Sequence, residues 1–223
     1  MNNPVVVISG ATGAAAVNAA RAFAGQGAAL ALLSTNQAKL DALAIDLNLP
    51  SARLLTQAVD LRSPDDVRAA AVAVDSKFGR ADILLHLVGG WTGGKTLADT
   101  PAQDLETMIT QHVWTSFHLV QAFTPGMVRN GWGRVIVVSS PLATDPQIGM
   151  GAYAIGKAAE ETLLLTLAQE VKESGVTANL IQVHSIDTTG KGKGTSPDEI
   201  SAAMLYLCSD LAARVNGARI PLY

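Results

Sequence analysis

Six short runs rich in Val, Ile and Leu, alternating with stretches of helical periodicity, constrain this chain more than any other feature. The runs lie at residues 5–9, 30–34, 53–59, 83–88, 134–139 and 177–183. Each is nearly continuous in apolar residues, the pattern of strands buried on both faces of a parallel sheet. Between them, helical spacing covers residues 14–25, 37–47, 64–78, 101–129, 152–172 and 197–211. Strand and helix in strict alternation imply right-handed βαβ units and an α/β fold, a Rossmann-type doubly wound parallel sheet. In such a sheet a ligand lies beyond the carboxyl ends of the strands where the winding reverses, so function is expected in the strand-to-helix loops. Asp65 and Asp66 behind Pro64, and Asp198 and Glu199 behind Pro197, read as structural acids in first helical turns.

At 223 residues with 48% hydrophobic and 16% charged residues, the chain is expected to form one domain over residues 1–223, without a disordered tract or linker. A formal net charge of -3 with no run of like charges offers no basic face to nucleic acid or an anionic membrane. A small-molecule partner is expected instead. The lone Cys208, among Leu205, Leu207 and Leu211, reads as a packed thiol. The start, Met1-Asn2-Asn3-Pro4 and then only residues 5–8 before Ser9-Gly10, lacks the basic opening of a signal peptide. No apolar stretch approaches the roughly 20 residues of a membrane helix. The expected location is cytoplasmic.

Directly after the first strand comes Gly10-Ala11-Thr12-Gly13-Ala14-Ala15-Ala16. A glycine turn there lets backbone N–H groups approach a pyrophosphate, whose charge the opening of the helix stabilises. The spacing is Gly-x-x-Gly-x-x-Ala rather than Gly-x-Gly-x-x-Gly, and the strand and helix around it carry the reading. Gly10, Thr12, Gly13 and Ala14 are the candidate phosphate contacts. At the end of the second strand, where an acid selects a ribose 2′-hydroxyl and an Arg accepts a 2′-phosphate, stand Ser34-Thr35-Asn36. The missing acid removes a repulsion and the missing Arg an attraction, so NADP(H) is slightly favoured over NAD(H).

Tyr153 and Lys157 are four residues apart and therefore share one helix face. An ammonium near a phenol lowers its pKa from about 10, making it a usable general acid or base near neutral pH. Ser139-Ser140 ends the fifth strand, where a hydroxyl can hydrogen-bond a carbonyl oxygen as it gains negative charge. Taken separately, each feature also fits a helix surface or a turn.

Together, and in this order behind a glycine turn, the features resemble the short-chain dehydrogenase/reductase family, whose pattern covers nearly the whole chain. The resemblance implies that Ser140, at the usual Ser-to-Tyr spacing, Tyr153 and Lys157 are the catalytic set. It implies that Tyr153 and Lys157 also contact the cofactor, Lys157 through the nicotinamide ribose. It further implies that Asp60 and Leu61 border the adenine, that Val88 and Gly89 contact the cofactor through their backbone, and that Ile186 and Thr188 do so after the sixth strand. The implied substrate is a small carbonyl or alcohol, and the implied assembly a homodimer or homotetramer through the long helices.

Departures fall in the cofactor loops. His86-Leu87-Val88-Gly89 stands where the family has Asn-Asn-Ala-Gly, and Val183-His184 where it has Pro-Gly. The chain's last residues, 220–223, replace an Asp-Gly-Gly ending, a change with consequences for subunit contacts. His112 takes the place of an Asn that orders a water joining the lysine to solvent, so His112 is either a proton relay or a packed side chain. The Gly-rich segment 187–196 is expected to move. Trp91, Leu142, Ile148 and Met150 are candidate pocket linings. Two other readings remain open: a dinucleotide-binding protein without turnover, and a structural relative in which Ala14 and Ala16 crowd out the pyrophosphate.

Overall fold

A computed structural model describes residues 3–223. The strands are β1 (Val5–Ser9), β2 (Ala29–Ser34), β3 (Leu54–Ala58), β4 (Ile83–His86), β5 (Gly133–Ser139), β6 (Val176–Gln182) and β7 (Arg219–Pro221). The helices are α1 (Ala14–Gly25), α2 (Gln37–Leu47), α3 (Pro64–Phe78), α4 (Ala102–Met108), α5 (Thr115–Arg129), α6 (Gly151–Glu170) and α7 (Pro197–Cys208). All seven strands are parallel, in the order β3-β2-β1-β4-β5-β6-β7. The winding reverses between β1 and β4, so the crevice opens where the loops after those strands diverge.

Strand pleating explains the two layers of helices. Along β1, Val5 and Val7 pack on one face with Val67 and Val74 of α3, Leu119 and Phe123 of α5, and Leu164 and Leu167 of α6. Val6 and Ile8 point the other way, into Ala19 and Phe23 of α1, Leu40 of α2, and Ile200 and Met204 of α7. A strand buried on both sides has no polar face to alternate, which is why these runs read as continuous apolar sequence.

The acids that open helices behave as capping groups. Ser63 accepts from the Asp66 N–H ahead of α3, and Ser196 and Glu199 form a reciprocal capping box at α7. Asp198 also accepts from Asn18 Nδ2 at 2.7 Å, tying α7 to α1. Cys208 sits in the packed layer with its thiol pushed up to about 12 by burial, as expected of an inert core group.

Expected boundaries hold to within one or two residues, except that the helix expected over 197–211 ends at Cys208 and two larger differences remain. The single helix expected over 101–129 is interrupted by a π-helical stretch, Ile109–Trp114, which rotates the residues after it. The seventh strand was not anticipated: Arg219, Ile220 and Pro221 pair with Leu180, Ile181 and Gln182 of β6. A three-residue edge strand containing proline carries almost no sequence signal. It is held from below by Glu161, whose carboxylate accepts from Arg219 Nε at 2.6 Å and Gln182 Nε2 at 2.9 Å. Among the described residues no helix is long and apolar enough to cross a membrane.

Candidate active site

The loops after β1, β4, β5 and β6 frame a two-lobed cleft along the carboxyl edge of the sheet. One lobe, about 670 Å³, is lined by Gly10, Gly13, Ser34, Thr35, Asp60, Leu61, Val88 and Gly89 among others. The second, about 530 Å³, is lined by Gly13, Ala14, Val88, Gly89, Trp91, Leu142, Met150, Tyr153, Lys157 and Ile186 among others. The shared residues Gly13, Leu87, Val88 and Gly89 sit at the waist. Residues expected to contact a dinucleotide thus meet those expected to do proton chemistry.

The first turn is shaped by close backbone approach. Gly10 has φ +69°, and a Cβ there would lie 2.8 Å from the Leu87 carbonyl oxygen and 3.0 Å from Val88 N. The α1 helix opens at Gly13 with no side-chain cap and no acid in its first turn, leaving N–H groups and the positive end of the dipole toward the cleft. Ala14 is exposed and Ala16 buried, and both line the second lobe without closing it. These features fit a dinucleotide diphosphate.

At the outer end, Thr12 and Ser34 share a hydroxyl hydrogen bond of 2.9 Å. Thr35 lines the lobe, whereas the Asn36 side chain accepts from Lys39 N as the cap of α2. Asp60 lines the lobe but is gripped by Arg62, whose Nη2 lies 2.7 Å from Oδ2 and Nε 2.8 Å from Oδ1. That side-chain hydrogen bond holds the Asp60 carboxyl below its usual range. Arg62 was missed in the sequence because an Arg two residues after a turn Asp looks like a solvated loop charge.

In the inner lobe, Tyr153 and Lys157 project from the first turns of α6, as the four-residue spacing predicts. Lys157 is 3% exposed; its Nζ donates to the Val138 carbonyl at 2.9 Å and to Glu160 Oε2 at 2.7 Å. Ser139 and Leu142 line the cleft, whereas Ser140 between them is 2% exposed and lies just behind the lining of both lobes. Ser140 Oγ accepts from Leu142 N at 3.3 Å, so its own proton remains available to a neighbouring oxygen.

His112 lies behind the cleft, fully buried within the π-helical stretch. Its ring meets Tyr153 edge-on, with centroids 5.6 Å apart. Nε2 is 3.1 Å from the Gly90 carbonyl, which can only accept, so Nε2 carries the proton and the unpartnered Nδ1 carries a lone pair. Burial first, and the Lys157 charge second, push this imidazole down to about 3. It is neutral, packed, and an acceptor.

Some expected residues do not come to the cleft. Thr188 is exposed in the loop after β6, and Ile148 is 97% exposed and lines neither lobe. The Gly-rich loop closes on Asp187, whose carboxylate accepts from Thr189 N, Thr189 Oγ1 and Gly192 N, while Thr195 N donates to Ser185 O. Its Lys191 and Lys193 are exposed and away from both lobes.

A sequence model of the short chain dehydrogenase family matches residues 4–199. The chain belongs to that family. It is an oxidoreductase of the NAD(P)-dependent kind that defines the family. It is 26% identical over 235 residues to the 7alpha-hydroxysteroid dehydrogenase of Escherichia coli (strain K12), covering 97% of this chain and 91% of the relative. An NAD+-bound xylitol dehydrogenase superposes with TM-score 0.91 at 20% identity, covering 99% and 98% of the two chains. An NADPH-bound short chain oxidoreductase of Pseudomonas aeruginosa PAO1, described as containing an atypical catalytic center, superposes with TM-score 0.91 at 24% identity, covering 100% and 97%. These likenesses establish the fold, and because one neighbour holds NAD+ and the other NADPH they establish no cofactor preference.

Proposed function

We propose that this family member moves a hydride between a nicotinamide cofactor and the carbonyl or secondary alcohol carbon of a small, partly apolar substrate, with Tyr153 as general acid and base. The observation that carries the reading is that Tyr153 and Lys157 line the same lobe as Gly13, Ala14, Val88 and Gly89. Proton chemistry and nucleotide contact then share one space. The bound cofactor would supply or take up the hydride at its nicotinamide ring.

The chain's own residues do the rest. Gly10, Thr12, Gly13 and Ala14 would bind the diphosphate through backbone N–H groups and the α1 dipole. Asp60 and Leu61 would border the adenine, and Ile186 the nicotinamide side. In reduction, the Tyr153 hydroxyl gives its proton to the substrate oxygen as charge develops there, and in oxidation it takes that proton back. Ser140 donates its free hydroxyl proton to the same oxygen, a contact that strengthens as the oxygen becomes negative. Lys157 holds the ribose with the N–H not already engaged by Val138 and Glu160. His112 is assigned to hold an ordered water at its free Nδ1 rather than to carry charge, which its depressed pKa disfavours. Trp91, Leu142 and Met150 make the substrate wall apolar.

NADP(H) is slightly favoured over NAD(H) because no carboxylate stands among Ser34, Thr35 and Asn36 to repel a 2′-phosphate. A homodimer or homotetramer is proposed through the long helices, where Trp114 and Phe117 are 49% and 37% exposed. Titration with NADPH and separately with NADH tests the cofactor, followed by a screen of ketones, diketones and aldehydes. Tyr153→Phe should abolish turnover while leaving nucleotide affinity nearly unchanged. An active Phe variant would sink the mechanism.

A further inference from the structure

Behind Lys157 lies a buried polar chain that the reading above does not use. Lys157 Nζ meets Glu160 Oε2 at 2.7 Å, Ser116 Oγ donates to Glu160 Oε1 at 2.9 Å, and His86 Nε2 stands 3.6 Å from that same oxygen. His86 continues to Ser9 through Nδ1 at 2.7 Å and to Thr115 through Nε2 at 3.3 Å. Every member is at most 3% exposed: Ser9 0%, His86 2%, Thr115 3%, Ser116 2%, Lys157 3% and Glu160 0%. Charged side chains are almost never this buried without a specific partner.

Hydrogen-bond bookkeeping assigns the charges. Thr115 gives its hydroxyl proton to the Gln111 carbonyl at 2.6 Å, so Thr115 Oγ1 must accept from His86 Nε2. The Ser9 hydroxyl lies 2.7 Å from His86 Nδ1 and 3.4 Å from the Leu85 carbonyl, and the shorter contact makes Nδ1 the acceptor of a neutral ring. Burial, helped by the Lys157 charge, pushes that imidazole down to about 3 in agreement. Both Glu160 oxygens face donors, Lys157 on one and Ser116 with His86 on the other, which leaves a carboxylic proton no acceptor. Burial pushes the Glu160 carboxyl up, and the Lys157 ammonium and the Ser116 hydroxyl oppose that shift; with a donor on each oxygen, the geometry favours one cation and one anion. The far end of the network stops at Ser9, which is fully buried.

We propose that Glu160 is the built-in counterion of Lys157, a positioning residue that fixes Nζ at the cleft and cancels its charge, so that Tyr153 works beside a neutral pair instead of a bare ammonium. The inference rests on the proposed role of Tyr153 and Lys157 but not on any substrate. Other titratable groups around the pair do not replace Glu160. His86 from β4 and His112 from the π-helical stretch are neutral, and Glu161 on α6 turns away to Arg219 and Gln182. The consequence is chemical: Tyr153 faces a pair with no net charge, whereas a lysine without its counterion would present a full positive charge to the phenol.

The test needs only the purified full chain. The near-ultraviolet tyrosinate band is followed against pH, and subtraction of the Tyr153→Phe trace isolates Tyr153 from Tyr206 and Tyr223, the two other tyrosines. Removing the carboxylate as Glu160→Gln is expected to lower the Tyr153 midpoint by about one pH unit, since one negative charge beside the pair is lost. The double variant Lys157→Met/Glu160→Leu removes both charges and fills the site with apolar groups, a replacement that buried ion pairs tolerate. Its Tyr153 midpoint is expected within about half a unit of wild type. A rise of about a unit or more in the double variant, the signature of an uncompensated lysine, overturns the proposal whatever Glu160→Gln does. Because the readout is ionisation and not turnover, its failure is distinct from a failure of the oxidoreductase mechanism.

Discussion

Gly10 and Gly79 offer a paired measurement of what the first turn costs to build. Both have left-handed backbones, φ +69° and φ +75°. Alanine at either position meets the steric penalty of that region, about 1–2 kcal/mol. The surroundings differ: a Cβ on Gly79, at the end of α3, has no heavy atom within 4 Å, whereas on Gly10 it would lie 2.8 Å from Leu87 O and 2.9 Å from Leu87 C. Those are backbone atoms of the loop after β4, which cannot rotate away as a side chain can, so the β1 and β4 loops must part. Overpacking of that kind costs about 1–3 kcal/mol more. For a chain of this size about 1 kcal/mol moves Tm by roughly 2–4 °C. Gly79→Ala should therefore melt roughly 2–8 °C below wild type, and Gly10→Ala a further 2–12 °C lower. The assay is thermal unfolding followed by circular dichroism, with nucleotide titration on each variant. Gly10→Ala should also weaken nucleotide binding, because Leu87 and Val88 line the waist of the cleft. If the two variants melt within about 1 °C of each other, the backbone contact is not what requires glycine at position 10.

Two further outcomes follow from named groups. Ser34→Asp places a carboxylate at the end of β2; it should weaken NADPH binding about tenfold or more while sparing NADH, and equal losses for both nucleotides would remove Ser34 from the 2′-position. The neutral, buried His86 and His112, both pushed down to about 3 chiefly by burial, make stability pH-dependent. As pH falls from about 6.5 toward 3, the unfolded chain gains a proton at each that the folded chain refuses, so stability present above that window is lost through it. The urea midpoint should accordingly fall between pH 7 and pH 5, and His86→Asn combined with His112→Asn should flatten that slope. A wild-type midpoint that does not change would contradict the assigned neutral rings.

Much of this architecture was legible in one dimension. The continuous apolar runs, the helical stretches between them and the order of the two required a doubly wound parallel sheet, because each pattern is a local record of how many faces an element buries. The Tyr153 to Lys157 spacing likewise determined that both groups share a helix face, and Gly10 after β1 marked where that face would meet a nucleotide.

Only the tertiary structure decided the rest, and in each instance the reason is a neighbour distant in sequence. Gly10 is needed for contact with Leu87, 77 positions on. β7 exists because β6 offers an open edge and Glu161 holds Arg219 beside it. Glu160, three residues after Lys157, carries no signal of its own in sequence, since an acid and a base at that spacing usually form a solvated pair on a helix surface. Packing of α6 against α4, the π-helical stretch and β6 encloses Lys157 and Glu160 instead, and Ser116 of α5 and His86 of β4 reach the same carboxylate. Periodicity reports burial averaged over a face, whereas the charge state of a buried group depends on the few atoms that folding brings to it.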